Sequence, residues 1–502
     1  MSKLAELKKR LSTVWDLRST SSLLSWDQQT YMPPQGSGPR AQQMATIDRL
    51  AHEILTADET ARLLDEAASE LNGAAEDSDE ACLIRVARRH YNRGANVPGS
   101  LVEEFSRTCS LAHENWVEAK RSSDFPLFAP HLEKIWGLAR QIAEARGYQE
   151  HPYDALLDEW EPGTTAAEVR AMFDEMRPRL VALVRRIRES GVNLDSSALH
   201  QRFDVERQIA FAKFMAEEIG YDFNRGRQDI SAHPFCTSFS AHDVRITVRY
   251  FERFLAPSLF GTLHEAGHAL YEQGSPPQFN HTPLRGGASL GIHESQSRWW
   301  ENLVGRSRPF WKRYFPKLAG FFPEQLHGYT VDQFYRAINR VEPSLIRVEA
   351  DEVTYNLHIM IRFELELQIM EGKLAIKDVP DAWNDRYSEY LGVSVPNDGA
   401  GCLQDIHWAH GILGYFPTYS IGNVVASQLW ERMLEDLPNV DELMENGQFK
   451  PVLGWLIEHV HSRAKKYLPK ELVQKVTGEG IQCGPFLRYL ETKFGELYAL
   501  DR

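Results

Sequence analysis

Along most of the chain apolar residues recur at three- and four-residue spacing, the period of a helix with one buried face. The segments 3–18, 40–71, 79–92, 101–121, 130–147, 166–190 and 202–219 carry this pattern, rich in Ala, Leu, Glu and Arg. It returns at 331–341, 350–371, 422–436, 450–466 and 484–497. The best two-residue alternation lies at 244–250, where Val244, Ile246, Val248 and Tyr250 interleave with polar residues. A chain patterned this way is mainly α with a small sheet. Pro33-Pro34 with Gly36 and Gly38 ends the first helical pair, residues 73–80 form an acidic solvated loop, and Gly286-Gly287 sits in a turn-rich stretch. None of these is long enough to be a flexible linker. The expected organisation is one domain over 1–502, with an N-terminal helical half of about 1–200 facing a catalytic half of about 201–502.

Composition narrows the partners. The 502 residues are 43% hydrophobic and 25% charged, as in a soluble globular protein. Lys and Arg number 56 against 70 Asp and Glu, a formal charge of −14 that repels phosphate backbones and anionic lipid. No nucleic-acid or membrane partner is expected. The five cysteines, Cys82, Cys109, Cys236, Cys402 and Cys483, form no CxxC pair, which fits a reduced, cytoplasmic protein. The amphipathic start lacks the apolar run of a signal peptide, and no apolar stretch of about 18 residues occurs. No Gly-rich phosphate loop or dinucleotide fingerprint points to a nucleotide cofactor.

The segment with chemistry in it is Gly261-Thr-Leu-His-Glu-Ala-Gly-His-Ala-Leu270. On a helix, His264 and His268 project from one face one turn apart, which suits two nitrogens on one tetrahedral zinc at about 2.0–2.1 Å. Glu265, one step round, can reach a water at such a metal without binding the metal, as a general base must. Pro257 and Ser258 read as start signals and Gly274 as a stop, with Phe260, Leu263, Gly267 and Leu270 as an apolar stripe. Gly267 leaves room for a close neighbour. A third ligand is needed from a second helix downstream. The stretch from Ile292 to Leu303 reads as that helix, with Trp299 and Trp300 packing it; Glu294 and Glu301 both qualify, and spacing does not choose between them.

These motifs resemble the carboxypeptidase Taq family of metallocarboxypeptidases, also called thermostable carboxypeptidase 1. The likeness lies in HEAGH followed by Ile292-His293-Glu294-Ser295-Gln296, and in further motifs in order. These are His233-Pro234-Phe235, Asp243-Val-Arg245-Ile-Thr247, Ile346-Arg347-Val-Glu-Ala350-Asp351, Gly401-Cys-Leu-Gln404-Asp405-Ile-His407-Trp408 and Gly414-Tyr415-Phe416-Pro417-Thr-Tyr419. Ser25-Trp26-Asp27 and Met32-Pro33-Pro34 are similar to the family's opening. The resemblance spans nearly the whole chain. It implies a large helical zincin-type fold with a deep central groove, and a homodimer. It also implies one divalent metal per subunit, zinc or cobalt, held by His264, His268 and Glu294 rather than Glu301, with Glu265 as base.

Other residues invite roles. A carboxypeptidase must desolvate the free C-terminus of its peptide, and a guanidinium does so with paired hydrogen bonds. Arg347 and Arg245 are the candidates, each with a bland alternative of pairing with Asp351 or Asp243. His407, Tyr415 and Tyr419 are candidates to stabilise the oxyanion. Asp405 is a possible acceptor behind a ligand histidine, His233 a possible groove residue, and Cys236 and Cys402 read as buried inert thiols. The expected activity is removal of C-terminal amino acids from peptides with a free C-terminus. A metallo-oligopeptidase of the same architecture and a non-catalytic helical binding protein are the alternatives.

Overall fold

The computed structural model describes residues 2–500. Helices make up most of them, from Lys3–Thr30 to Gly484–Leu497, and the three-stranded sheet lies mid-chain. Its strands are β1 (Gly226–Ile230), β2 (Phe235–Ser240) and β3 (Asp243–Val248), in the order β1-β3-β2. β1 runs parallel to β3, pairing Arg227 with Arg245, and β2 runs antiparallel, pairing Cys236 with Ile246, with a bulge between Ser238 and Ser240. The alternation expected over 244–250 thus stops at Val248. β1 and β2 escaped the pattern because their Gly-Arg-Gln-Asp and Cys-Thr-Ser stretches are polar and mostly half-buried.

Two helix expectations need correction. The segment 40–71 is not one helix but two, Ser37–Thr56 and Asp58–Glu70, because Ala57 takes an extended conformation (ψ 148°). Asp58 and Glu59 then sit in a new first turn, where carboxylates favour the helix dipole. The helix expected from Ile292 to Leu303 is α-helical over Leu290–Arg298 and widens to a π-helix over Trp299–Val304. Such widening often accompanies functional sites.

The described chain folds as two compact units, each made of three stretches. Unit one takes residues up to Ala95, Asp195–Ile338 and Leu429–Gly480; unit two takes Asn96–Leu194, Asn339–Gln428 and the stretch from Ile481. In unit one, Val244, Ile246 and Val248 are fully buried, and the sheet packs against the helix Ala256–Gln273. In unit two, the helix Tyr355–Met370 is buried almost all round and packs against Ala166–Glu189 and Val379–Leu391. Among the described residues no helix is long and apolar enough to cross a membrane.

Candidate metal centre

The helix Ala256–Gln273 starts with Pro257, whose missing amide is harmless in a first turn, and ends where Gly274 caps it by donating to the Leu270 carbonyl at 2.9 Å. Its neighbour is the helix Leu290–Arg298, capped by Ser289 accepting from the Ile292 amide. The two approach closely because Gly267 has no side chain: a Cβ there would lie 2.6 Å from the Gln296 oxygen and 2.7 Å from the Ser297 Cα. The first helix brings the two histidines and Glu265; the second brings Glu294.

The resulting geometry is convergent. His264 Nε2 and His268 Nε2 each lie 3.6 Å from the same oxygen, Glu294 Oε2. Ligand atoms of the three residues lie within 4.8 Å of one another. A tetrahedral zinc with bonds of about 2.0–2.1 Å would set its ligand atoms roughly 3.3–3.4 Å apart, close to the spacing present. The other face of each group is held. His264 Nδ1 lies 2.8 Å from Glu301 Oε2, and His268 Nδ1 lies 2.9 Å from His293 Nδ1. Arg298 donates to Glu294 Oε1 at 2.7 Å and to Glu301 Oε2 at 3.1 Å, while Glu294 Oε2 accepts from Ser297 Oγ at 3.2 Å and faces the imidazoles. The donor set of two imidazole nitrogens and a carboxylate, backed by partners that fix ring orientation, fits a divalent metal.

The electrostatics agree. Burial alone would lower the pKa of His264, but Glu294 and Glu301 beside it raise it: the pocket's field calls for positive charge. Burial lowers His268 to about 4, leaving a neutral imidazole. Burial opposes ionisation of Glu294, yet Arg298 and His264 hold it well below the usual carboxylate range. Burial pushes Glu265 the other way, up to about 7.

The structure therefore places Glu301 behind His264, not in the convergent set. Asp405 does not serve as acceptor for a ligand histidine. It accepts from Arg347 Nη2 at 2.8 Å and from Arg362 Nε at 2.6 Å. Arg347 is buried and also donates to Tyr355 Oη, whereas Asp351 accepts from the Val353 and Thr354 amides just ahead of the helix Tyr355–Met370. The bland pairing expected of Arg347 with Asp351 is thus replaced by Asp405. For Arg245 the bland pairing holds: it binds Asp243 through two bonds of 2.8 Å and lies over the Trp26 ring. His407, Tyr415 and Tyr419 do come together, with His407 Nε2 3.2 Å from Tyr419 Oη and the two tyrosine rings 5.2 Å apart. Burial lowers His407 to about 3, so its ring is neutral. Cys236 and Cys402 are thiols whose pKa burial raises. The His233 carbonyl accepts from Ser231 Oγ.

Arg298 was missed by sequence reasoning, as were the supporting roles of Glu301 and His293. For the first two the signal was there: Arg298 stands four residues after Glu294 and three before Glu301, the spacing at which helical neighbours pair. His293 had none, since its partner lies 25 residues away.

A family profile described as carboxypeptidase Taq (M32) metallopeptidase matches residues 6–494. The chain belongs to that family. It is accordingly a metal-dependent peptidase, a hydrolase. Thermostable carboxypeptidase 1 of Thermus thermophilus is 43% identical over 493 residues, with 96% of each chain covered. Carboxypeptidase 1 of Bacillus subtilis is 40% identical over 495 residues, covering 99% of this chain and 98% of its own. The crystal structure of the M32 carboxypeptidase from Deinococcus radiodurans superimposes with a TM-score of 0.96 at 41% identity, covering 99% of this chain and 100% of that one. The helix-rich fold with its small sheet is therefore the fold of this family's solved members.

Proposed function

We propose that this protein is a zinc carboxypeptidase in which His264, His268 and Glu294 hold the cation and Glu265 is the general base, with cobalt as the alternative metal. The observation that carries the reading is the convergence of two imidazole nitrogens on Glu294 Oε2 with the Glu265 carboxyl enclosed beside them. A bound divalent cation supplies polarisation of the peptide carbonyl and acidifies water at the site. Glu265 removes the proton from the attacking water. Its enclosed carboxyl then hands that proton to the leaving amine nitrogen.

The substrates in this reading are peptides with a free C-terminus. Arg347 is assigned to the terminal carboxylate, since Asp405 would keep Arg362 as counter-charge while Arg347 turned to a substrate. Arg245 is the alternative, with Asp243 its only carboxylate partner among the described residues. His407, Tyr415 and Tyr419 are assigned to the developing oxyanion; neutral donors of this kind supply a few kcal/mol. The family resemblance supports a homodimer, and the cysteine usage a cytoplasmic location.

The test is to incubate the zinc-loaded protein with a short free-acid peptide and with its C-terminal amide, following products by mass spectrometry. Stepwise loss of C-terminal residues from the acid, and no reaction with the amide, is the expected result. Internal fragments from both would make the protein an oligopeptidase. No reaction with either, and no metal retained, would leave a binding protein.

A further inference from the structure

The two histidines of the metal centre are supported differently. Behind His264 stands a carboxylate, Glu301. Behind His268 stands another imidazole, His293, whose Nε2 lies 2.8 Å from Glu272 Oε1. Arg285 Nη1 lies 3.8 Å from the other oxygen of Glu272, and the contact with His293, then Arg285, holds that carboxyl ionised despite its burial.

We propose that His293 and Glu272 form a positioning relay that fixes the tautomer and ring orientation of His268. The inference rests on His268 being a metal ligand. A ligand nitrogen must present a lone pair, so the ring proton of His268 belongs on Nδ1. That N–H then donates to His293 Nδ1, which must itself be bare, and the proton of His293 sits on Nε2 and donates to ionised Glu272. Each nitrogen has one assignment and every contact is satisfied.

The turn before the second helix makes space for this. A Cβ on Gly287 would lie 2.7 Å from His293 Cδ2 and 2.6 Å from Tyr271 Cε1, and Gly286 takes a left-handed φ of +92°. The Gly286-Gly287 pair, silent in the chemistry so far, lets the ring stand between His268 and Glu272.

Two partial mimics separate the contacts. His293→Asn places an amide oxygen near the Nδ1 position and keeps the acceptor for His268. His293→Gln reaches toward Glu272 but leaves His268 Nδ1 without its acceptor. Zinc affinity of the metal-stripped proteins is read by competition with a chromophoric chelator, beside circular dichroism and a His268→Ala control. The relay predicts H293N close to wild type, H293Q weaker by about 10–100-fold, and H268A without binding. His293→Leu, lacking both contacts, should bind no better than H293Q, and G287A, which leaves His293 in place but crowds it, should also lose affinity. Equal affinities for H293N and H293Q, or wild-type affinity in H293Q, overturn the relay. Wild-type zinc binding by H268A would instead overturn the ligand assignment beneath it.

Discussion

Glu265 in unit one and Glu366 in unit two are both enclosed, and burial pushes both carboxyls up to about 7. Their partners differ. Glu366 accepts from Tyr153 Oη at 2.7 Å, Trp408 Nε1 at 2.8 Å and the Gly414 amide at 3.1 Å, so its two oxygens tie three segments of unit two together. For Glu265 the charges that act are His264, Glu294, Glu301 and Arg298, and among the described residues no donor bonds its carboxyl. A raised pKa marks enclosure in both. The set of partners separates a carboxyl that joins the fold from one left available for proton transfer. The same contrast holds for the two charged clusters: Asp405 is bonded directly by the guanidiniums of Arg347 and Arg362, whereas Glu294 Oε2 faces two imidazole nitrogens across a gap a cation fits.

The largest effect that can break this comparison is on turnover. Glu265→Gln should lower kcat by about 10²–10⁴-fold, the usual contribution of a general base, with zinc still bound. Glu366→Gln, measured in the same peptide assay, should stay within a few-fold of wild type. Comparable losses in both would erase the distinction.

A smaller effect sharpens it from the other side. Folded Glu366 keeps its proton to about pH 7, whereas an unfolded glutamate releases it near about 4.3. The folded state thus binds more protons between those values. The stability this group contributes is full below the unfolded pKa and is lost as pH rises through the folded one. Denaturant unfolding at pH 5 and pH 8 should show wild type losing about 2–3 kcal/mol more than Glu366→Gln over that interval. Parallel curves would contradict it.

Smaller again is the packing that brings the two site helices together. Gly267→Ala puts a methyl against the backbone of Gln296 and Ser297. Overpacking of that kind costs about 1–3 kcal/mol. Because the yielding element carries Glu294, zinc affinity should fall along with Tm. A lower Tm with unchanged zinc affinity would show that the two helices are not mechanically coupled.

Much of this was legible in the residues. The spacing of His264 and His268 needs only a helix to put both imidazoles on one face, and Gly267 already marked a close neighbour. The choice between Glu294 and Glu301 was not legible from spacing, because both lie on the same helical run. What distinguishes the two in space is the hydrogen bond that turns Glu301 to His264 Nδ1, while Glu294 Oε2 faces both imidazoles. The pairing of His293 with His268 depends on tertiary placement. So does that of Arg347 with Asp405, 58 residues on, where local spacing favoured Asp351. Ala57 broke a helix without Gly or Pro to announce it, and the polar β1 and β2 owe their place to pairing with β3 rather than to their own pattern.

The most direct measurement is metal content. Wild type, Glu265→Gln and Glu294→Ala would be stripped with chelator, dialysed against zinc and then zinc-free buffer, and analysed by inductively coupled plasma mass spectrometry. The account predicts one zinc per chain in wild type and Glu265→Gln, and next to none in Glu294→Ala. A full complement of zinc in Glu294→Ala would contradict it.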